Sequence, residues 1–201
     1  MKRQSSRTSQ TLKEIRSLKV VAIHPDDHDG EELRGQLRRI GCTVQMVWPS
    51  LDVLPDDTDV VFLAVRPETL SIKFPWLDAK HVPPVIPVVS YENPIVIEAV
   101  LQLNPYCLVP SPVRSFGLLT AIAVSLYQHK SRRTVEHYVE RLEDKLADQR
   151  KIQQAKIILM DARKLSEQEA YELLRAQAMS KRQPIESVAQ AIIQAHAVLD
   201  F

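Results

Sequence analysis

The sequence is poor in the residues that build several common kinds of functional site. It has four glycines among 201 residues, and their positions form no glycine-rich phosphate loop. Its two cysteines, Cys42 and Cys107, lack the spacing of a zinc site and are too few for a disulfide framework. No apolar run is long enough to cross a bilayer, and no apolar segment follows the basic N-terminus as it does in signal peptides. We therefore expect an unexported, cytoplasmic protein that has no membrane contact and no metal or cofactor.

Histidine is also used without any catalytic pattern. The six histidines are scattered along the chain and form no evident catalytic or metal-binding set. Only His24 and His28 lie close together, and we expect them in a surface loop. The sequence therefore predicts a protein that is not an enzyme.

Charge is unevenly distributed, although the formal net charge is only +1. Residues 130–182 hold 13 basic against 9 acidic residues, whereas residues 18–129 hold 8 against 13. Residues 1–17 are basic again, with 5 against 1, and their polar composition predicts a mobile tail. Such an asymmetry suggests a nucleic-acid contact at one end of the chain and a different role for the acidic middle.

Between residues 18 and 128, short apolar runs alternate with helical segments. The predicted strands are Lys19–Ile23, Cys42–Val47, Asp59–Val65, Val85–Val89 and Tyr106–Val109. The predicted helices are Asp29–Ile40, Ile95–Leu103 and Phe116–Gln128, with a proline-interrupted stretch near Ile72–Lys80. Apolar runs of this kind suit strands that are covered on both faces. The pattern predicts an α/β domain with a doubly wound, parallel five-stranded sheet in the flavodoxin-like order.

Residues 129–149 are predicted to form a connector helix. Its apolar residues follow a 4-3-4 spacing at Val135, Val139, Leu142 and Leu146. This is a short coiled-coil pattern, and it predicts a homodimer through the helix at 132–153. The alternative is a single linker helix packed on the preceding domain. Continuity of the pattern into Ile152 favours one long helix.

Residues 150–196 are predicted to form a small all-α domain of three helices. Apolar residues at three- and four-residue spacing place a stripe on the first helix: Ile152, Ala155, Leu159 and Ala162. Ser166 and Glu169 have the spacing of a capping box, which predicts the start of the second helix. Pro184 is favoured at a first helical position and predicts the start of the third.

This region resembles the ANTAR RNA-binding domain of bacterial transcription antiterminators. The matching residues are Arg150, Ile152, Ala155-Lys156, Leu159-Met160, Ser166 with Glu169-Ala170, Ala178-Met179, and Val188-Ala189 with Ile192. Two glycines that are usual in the family are replaced, by Ile157 and by Lys164. We expect a helix to tolerate Ile157, whereas lysine is less comfortable than glycine if position 164 has a positive φ.

The resemblance implies binding to paired hairpins with hexanucleotide loops in nascent leader mRNA, which would prevent formation of an overlapping terminator. The predicted third helix, Pro184–His196, contains no Lys or Arg, and this disfavours a helix-turn-helix reader of DNA. The predicted phosphate contacts are Arg150, Lys156, Lys181 and Arg182, and the predicted base contacts are Gln154, Ser180 and Met179. For Met179 the alternative is packing in the core.

The acidic middle domain resembles a response-regulator receiver that has lost its phosphorylation chemistry. Alignment of the third strand places Ala64 at the phosphoacceptor position, and Ser111 stands at the position of the usual lysine. The usual acid-pair positions are His24 and Pro25. Asp26 and Asp27 are then expected to be solvated loop residues rather than Mg²⁺ ligands. We interpret residues 18–128 as a pseudo-receiver.

The order of pseudo-receiver, coiled coil and ANTAR domain resembles that of antiterminators silenced by a ligand-sensing partner protein. The resemblance therefore implies control by a negative regulator that senses a ligand, not by phosphorylation. Two alternatives stay open: an adaptor whose C-terminal helices only oligomerise, and a DNA-binding transcription factor of the response-regulator type.

Overall fold

The computed structural model describes residues 15–199, and these form two compact units that divide between Arg133 and Thr134. The N-terminal unit holds five strands: β1 (Lys19–Ile23), β2 (Thr43–Val47), β3 (Val60–Val65), β4 (Val85–Val89) and β5 (Val109–Pro110). Its helices are α1 (His28–Ile40), the short α2 (Pro67–Leu70), a 3₁₀ turn at Pro75–Asp78, and α3 (Pro94–Gln102). A long helix, α4 (Ser115–Arg163), precedes α5 (Glu167–Lys181) and α6 (Ile185–Leu199).

The sheet has the strand order β2-β1-β3-β4-β5, with every neighbouring pair parallel. The predicted fold class and the flavodoxin-like order are confirmed. All six residues of β3 are buried, as expected for a central strand with helices on both faces. Side chains alternate between the two layers of the core, so that Val20 and Ala22 belong to one apolar cluster and Val21 and Ile23 to the other.

Local sequence signals account for the ends of α1. The Asp27 carboxylate accepts a hydrogen bond from the Gly30 N–H and caps the first turn. Gly41 ends the helix at φ 108°, a left-handed conformation that favours glycine, and its N–H reaches the carbonyls of Leu37 and Arg38. The first cap fixes the loop that leads from β1 into α1, and the second fixes the turn from α1 into β2.

Most predicted boundaries in the N-terminal unit differ from the structure by one residue at most, but the last strand and the start of the last helix are wrong. The last strand is Val109–Pro110 instead of Tyr106–Val109, and Pro110, which has no N–H to donate, lies on this edge strand. The helix predicted from Phe116 is regular only beyond Gly117, because Phe116 has ψ 129° and Gly117 has φ 94°. From there the helix continues without a break to Arg163, which confirms the prediction of one long helix.

The C-terminal unit has its own apolar core, formed by the end of α4 together with α5 and α6. Its buried members are Ala155, Leu159, Ala170, Leu174, Ala178, Val188 and Ala189. Ala162, predicted in the same stripe, is exposed instead, since it lies in the last turn of α4, next to the loop. The predicted small core of three helices is otherwise confirmed.

Candidate nucleic-acid interface

The capping box predicted at the start of α5 is present. The Ser166 Oγ accepts from the Glu169 N–H at 3.3 Å, and the Glu169 carboxylate accepts from the Ser166 N–H at 2.8 Å. The Ser166 hydroxyl also donates to the Glu169 carboxylate at 2.7 Å, and the hydrogen bonds from the Ser166 N–H and hydroxyl lower the pKa of Glu169. The turn between α4 and α5 is thereby fixed, and with it the direction of the second helix.

Both ends of α5 are bounded by residues in the left-handed conformation. Lys164, which stands where the ANTAR family has glycine, has φ 54°, as the resemblance led us to expect. Arg182 has φ 51°, and its N–H is directed at the carbonyls of Ala178 and Met179. The backbone therefore turns sharply at Arg182, directly after Ser180 and Lys181.

Six of the seven predicted RNA-binding residues are exposed. They are Arg150 and Gln154 on α4, and Met179, Ser180, Lys181 and Arg182 at the end of α5. Met179 is 71% exposed, so the alternative that it packs in the core is wrong. Among residues 15–199, no carboxylate lies within ion-pair distance of Arg150, Lys181 or Arg182.

The seventh residue, Lys156, differs from the others because its charge is already engaged. Its side chain is only 12% exposed, and its Nζ lies 2.5 Å from Glu167 Oε1 and 3.0 Å from Gln153 Oε1. The hydrogen bond from Lys156, together with its charge, lowers the pKa of Glu167. Lys156 thus links α4 to the first turn of α5, and a phosphate contact through its ammonium would have to compete with Glu167.

A groove between α4 and α6 was not anticipated from the sequence. It has a volume of about 490 Å³ and is lined by Asp148, Lys151, Pro184, Glu186, Ser187, Gln190, Ala191 and Gln194. The two sides of the groove come from residues more than thirty positions apart. The i, i+3, i+7 spacing of Ser187, Gln190 and Gln194 on α6 is the sequence signal that points to one polar face.

The predicted coiled-coil residues of α4 form an exposed apolar row. Val135, Val139, Leu142 and Leu146 are 59, 45, 41 and 53% exposed, respectively. Their spacing repeats every three and four residues, so they share one face of the helix. The described chain leaves this face uncovered.

At the carboxyl edge of the sheet, Ala64, which the sequence aligned with the phosphoacceptor position of receivers, is fully buried on β3. Asp27, however, is not the solvated loop residue that we expected, because it caps α1 and forms an ion pair of 2.8 Å with the Arg66 guanidinium. Burial tends to raise the pKa of Asp27, but the Gly30 hydrogen bond and the charge of Arg66 outweigh it and lower the pKa.

The other acidic residues at this edge also have protein partners. Asp29 accepts hydrogen bonds of 2.5 Å from the Ser111 hydroxyl and from the Val113 N–H, which joins α1 to the segment after β5. Asp26, 84% exposed as expected, lies 3.2 Å from an Arg34 Nη. Between residues 15 and 199, no three His, Cys, Asp or Glu side chains gather as metal ligands.

His24 corrects the prediction of a surface loop. It is only 2% exposed, and its backbone N–H donates to the Val47 carbonyl at 3.0 Å, one residue beyond the end of β1. Its Nδ1 lies 3.0 Å from the Pro25 carbonyl. A Cβ at position 30 would lie 2.2 Å from the Pro25 carbonyl oxygen and 2.9 Å from this ring nitrogen, so Gly30 leaves room for both.

None of the helices between residues 15 and 199 combines the length and apolar character of a membrane span.

Comparison with known proteins gives a consistent result for both units. Residues 18–126 match the family described as AmiR, N-terminal, and residues 140–193 match the ANTAR domain. The aliphatic amidase regulator of Pseudomonas aeruginosa is 28% identical over 184 residues, which are 90% of this chain and 94% of that protein. The response regulator StyR is similar in fold, with a TM-score of 0.52, 16% identity, and coverage of 89% of this chain and 99% of that chain.

Proposed function

The chain belongs to the AmiR family, with an ANTAR domain after the AmiR N-terminal region, and on that premise we propose that it is an RNA-binding transcription antitermination regulator. It binds hairpins in nascent leader mRNA and prevents the terminator from forming. The relative that matches along almost its whole length is itself described as a regulator. Residues 18–128 are the pseudo-receiver, residues 129–149 the connector and residues 150–196 the RNA-binding domain.

The observation that carries this proposal is the position of the unpaired basic residues. Arg150, Lys181 and Arg182 are exposed on α4 and at the end of α5, whereas α6 contains no Lys or Arg. A surface of this kind suits a folded RNA hairpin better than the major groove of DNA, which is entered by a single helix with polar or basic side chains. Gln154 and Ser180 lie in the same segments and can hydrogen-bond exposed bases.

Control by a partner protein rather than by phosphorylation is supported at the sheet edge. Ala64 offers no carboxylate to phosphorylate, and the Arg66 guanidinium already holds Asp27. A ligand-sensing negative regulator that binds this chain would therefore be the source of control. The exposed row from Val135 to Leu146 supports a homodimer through residues 132–153, which would present two RNA-binding domains to paired hairpins.

The test is selection by the full-length chain from a pool of two-hairpin RNAs whose hexanucleotide loops are randomised. We expect enrichment of hairpins with a defined loop sequence, and we expect binding to weaken as salt rises, since phosphate contacts release counterions. The same selection with randomised duplex DNA tests the alternative of a DNA-binding protein. Enrichment of DNA and not of RNA would overturn the proposal in favour of a DNA-binding transcription factor, and enrichment of neither would favour the adaptor.

A further inference from the structure

The groove between α4 and α6 has a chemistry unlike that of the exposed basic residues. From α6 it receives the hydroxyl of Ser187 and the amides of Gln190 and Gln194, all on one helical face. From α4 it receives Asp148 and Lys151, whose charged groups are 3.0 Å apart. The groove is thus lined mainly by neutral polar groups and by charges that face each other.

Its charge disfavours a phosphate. The single ammonium, that of Lys151, is already paired with Asp148, and Glu186 adds a second carboxylate to the lining. A phosphate placed there would meet more negative than positive charge. The groups that remain suit a nucleobase, because glutamine amides pair with base edges and carboxylates accept hydrogen bonds from exocyclic amino groups.

Along the chain, the groove residues are neighbours of the candidate RNA-binding residues. Lys151 directly follows Arg150 on α4, and Pro184 at the groove lies two residues after Arg182. Phosphates held by Arg150 and Arg182 would therefore bring the neighbouring nucleotides close to the groove. Sequence-specific RNA readers commonly take up bases that are unstacked from a loop.

We infer that this groove binds one unstacked loop base that carries an exocyclic amino group, and that Gln190 and Gln194 read its edge. This inference rests on the proposed RNA-binding function. Uracil has no exocyclic amino group and presents carbonyl oxygens, so the carboxylates of Asp148 and Glu186 repel it. The third helix thus supplies base specificity without supplying any positive charge.

The experiment compares the full-length wild type with the Gln190→Ala, Gln194→Ala double variant in the randomised-loop selection. In the wild type we expect one loop position from which uracil is depleted about tenfold, the discrimination typical of a good bidentate contact. In the double variant that depletion should disappear, while the preferences at the other positions and the salt dependence of binding stay unchanged. Alanine favours the helix, so the fold should be retained, which circular dichroism and a melting curve check.

The matched control is Gln168→Ala, which removes an exposed amide at the opposite end of α5 and should leave the whole loop profile unchanged. The groove inference is overturned if the double variant still depletes uracil at that position. It is also overturned if the folded double variant loses its base preference equally at all loop positions. In both cases the proposal of RNA binding stands. If the wild type enriches no hairpin at all, it is the proposed function that fails.

Discussion

The carboxyl edge of the sheet and the surface of the three-helix domain use charge in opposite ways. At the sheet edge, Asp27 is paired with Arg66, and Asp29 is hydrogen-bonded to Ser111 and to the backbone after β5. On the three-helix domain, Lys181 and Arg182 are exposed, and no carboxylate of residues 15–199 pairs with them. Charges at the first site contact other residues of the fold, whereas charges at the second have no carboxylate partner among residues 15–199, as the proposed RNA contact requires.

The difference shows what the carboxylates at this edge of the receiver-like fold do. A phosphorylated receiver needs carboxylates that are free to bind Mg²⁺ and a phosphoryl group. Here an arginine on the segment after β3 takes the place of an external cation beside Asp27, and a serine takes up Asp29. These pairs connect α1 and the loop before it to the segments after β3 and β5.

The largest expected effect comes from the core beneath the proposed RNA-binding surface. Leu174 is fully buried among the three helices, and Leu174→Ala should lower the free energy of unfolding of this domain by about 2–5 kcal/mol. We expect circular dichroism to show loss of helix on mild heating and selection to show loss of RNA binding. Ile157→Ala, at a position of α4 that is 51% exposed, is the control. An equal loss of helix in both variants would contradict the separate core.

The next largest effect is expected when the unpaired basic residues are removed. The triple variant Arg150→Gln, Lys181→Gln, Arg182→Gln should weaken binding to the selected RNA by more than tenfold at low salt. The slope of log K against log salt should become shallower by about 2, because three phosphate contacts are lost and each contributes about 0.7. Fluorescence anisotropy across a salt series gives both values.

A control variant with the same change in net charge separates local phosphate contacts from the general attraction of RNA to a positively charged protein. The triple variant Arg38→Gln, Lys73→Gln, Lys80→Gln removes three exposed cations from the N-terminal unit. It should leave the salt slope unchanged. If both triple variants lose affinity equally, the contrast between the two regions is not real.

A smaller effect is expected at the turn before α5. Lys164 has φ 54°, a conformation that costs a side chain about 1 kcal/mol relative to glycine. Lys164→Gly should therefore raise the thermal stability of the three-helix domain, since it removes this strain. In contrast, Lys145→Gly lies inside regular helix and should destabilise it by about 1 kcal/mol. If Lys164→Gly also destabilises the domain, the Lys164 charge stabilises it by more than the left-handed backbone conformation destabilises it.

The sequence predicted best those features that depend on neighbours along the chain. The buried apolar runs predicted the exact bounds of β1 and β4, and the capping box predicted the start of α5, because each of these signals depends on local spacing. The burial of His24 was missed, since it depends on space left by Gly30 and on a bond to Val47. The groove was missed for the same reason, because α4 and α6 are distant in sequence.

The smallest effect concerns the pH dependence of the paired sheet edge. The folded pKa of Asp27 lies below its ordinary value of 3.8, so its carboxylate stabilises the fold fully above that pH, and the stabilisation is lost as pH falls through the folded pKa. The Asp27 side chain is 36% exposed, so the contribution is about 1 kcal/mol or less. In Asp27→Asn, which keeps an N-cap acceptor, this part of the loss of stability below pH 4 should be missing.

Tryptophan fluorescence during urea unfolding measures this effect, because both tryptophans, Trp48 and Trp76, lie in the N-terminal unit. Asp26→Asn removes a carboxylate that is 84% exposed and should keep the acid sensitivity of the wild type. If Asp27→Asn also keeps it, the ion pair with Arg66 does not stabilise this edge. The sheet edge would then resemble the surface of the three-helix domain, because at both places the charged side chains would not stabilise the fold.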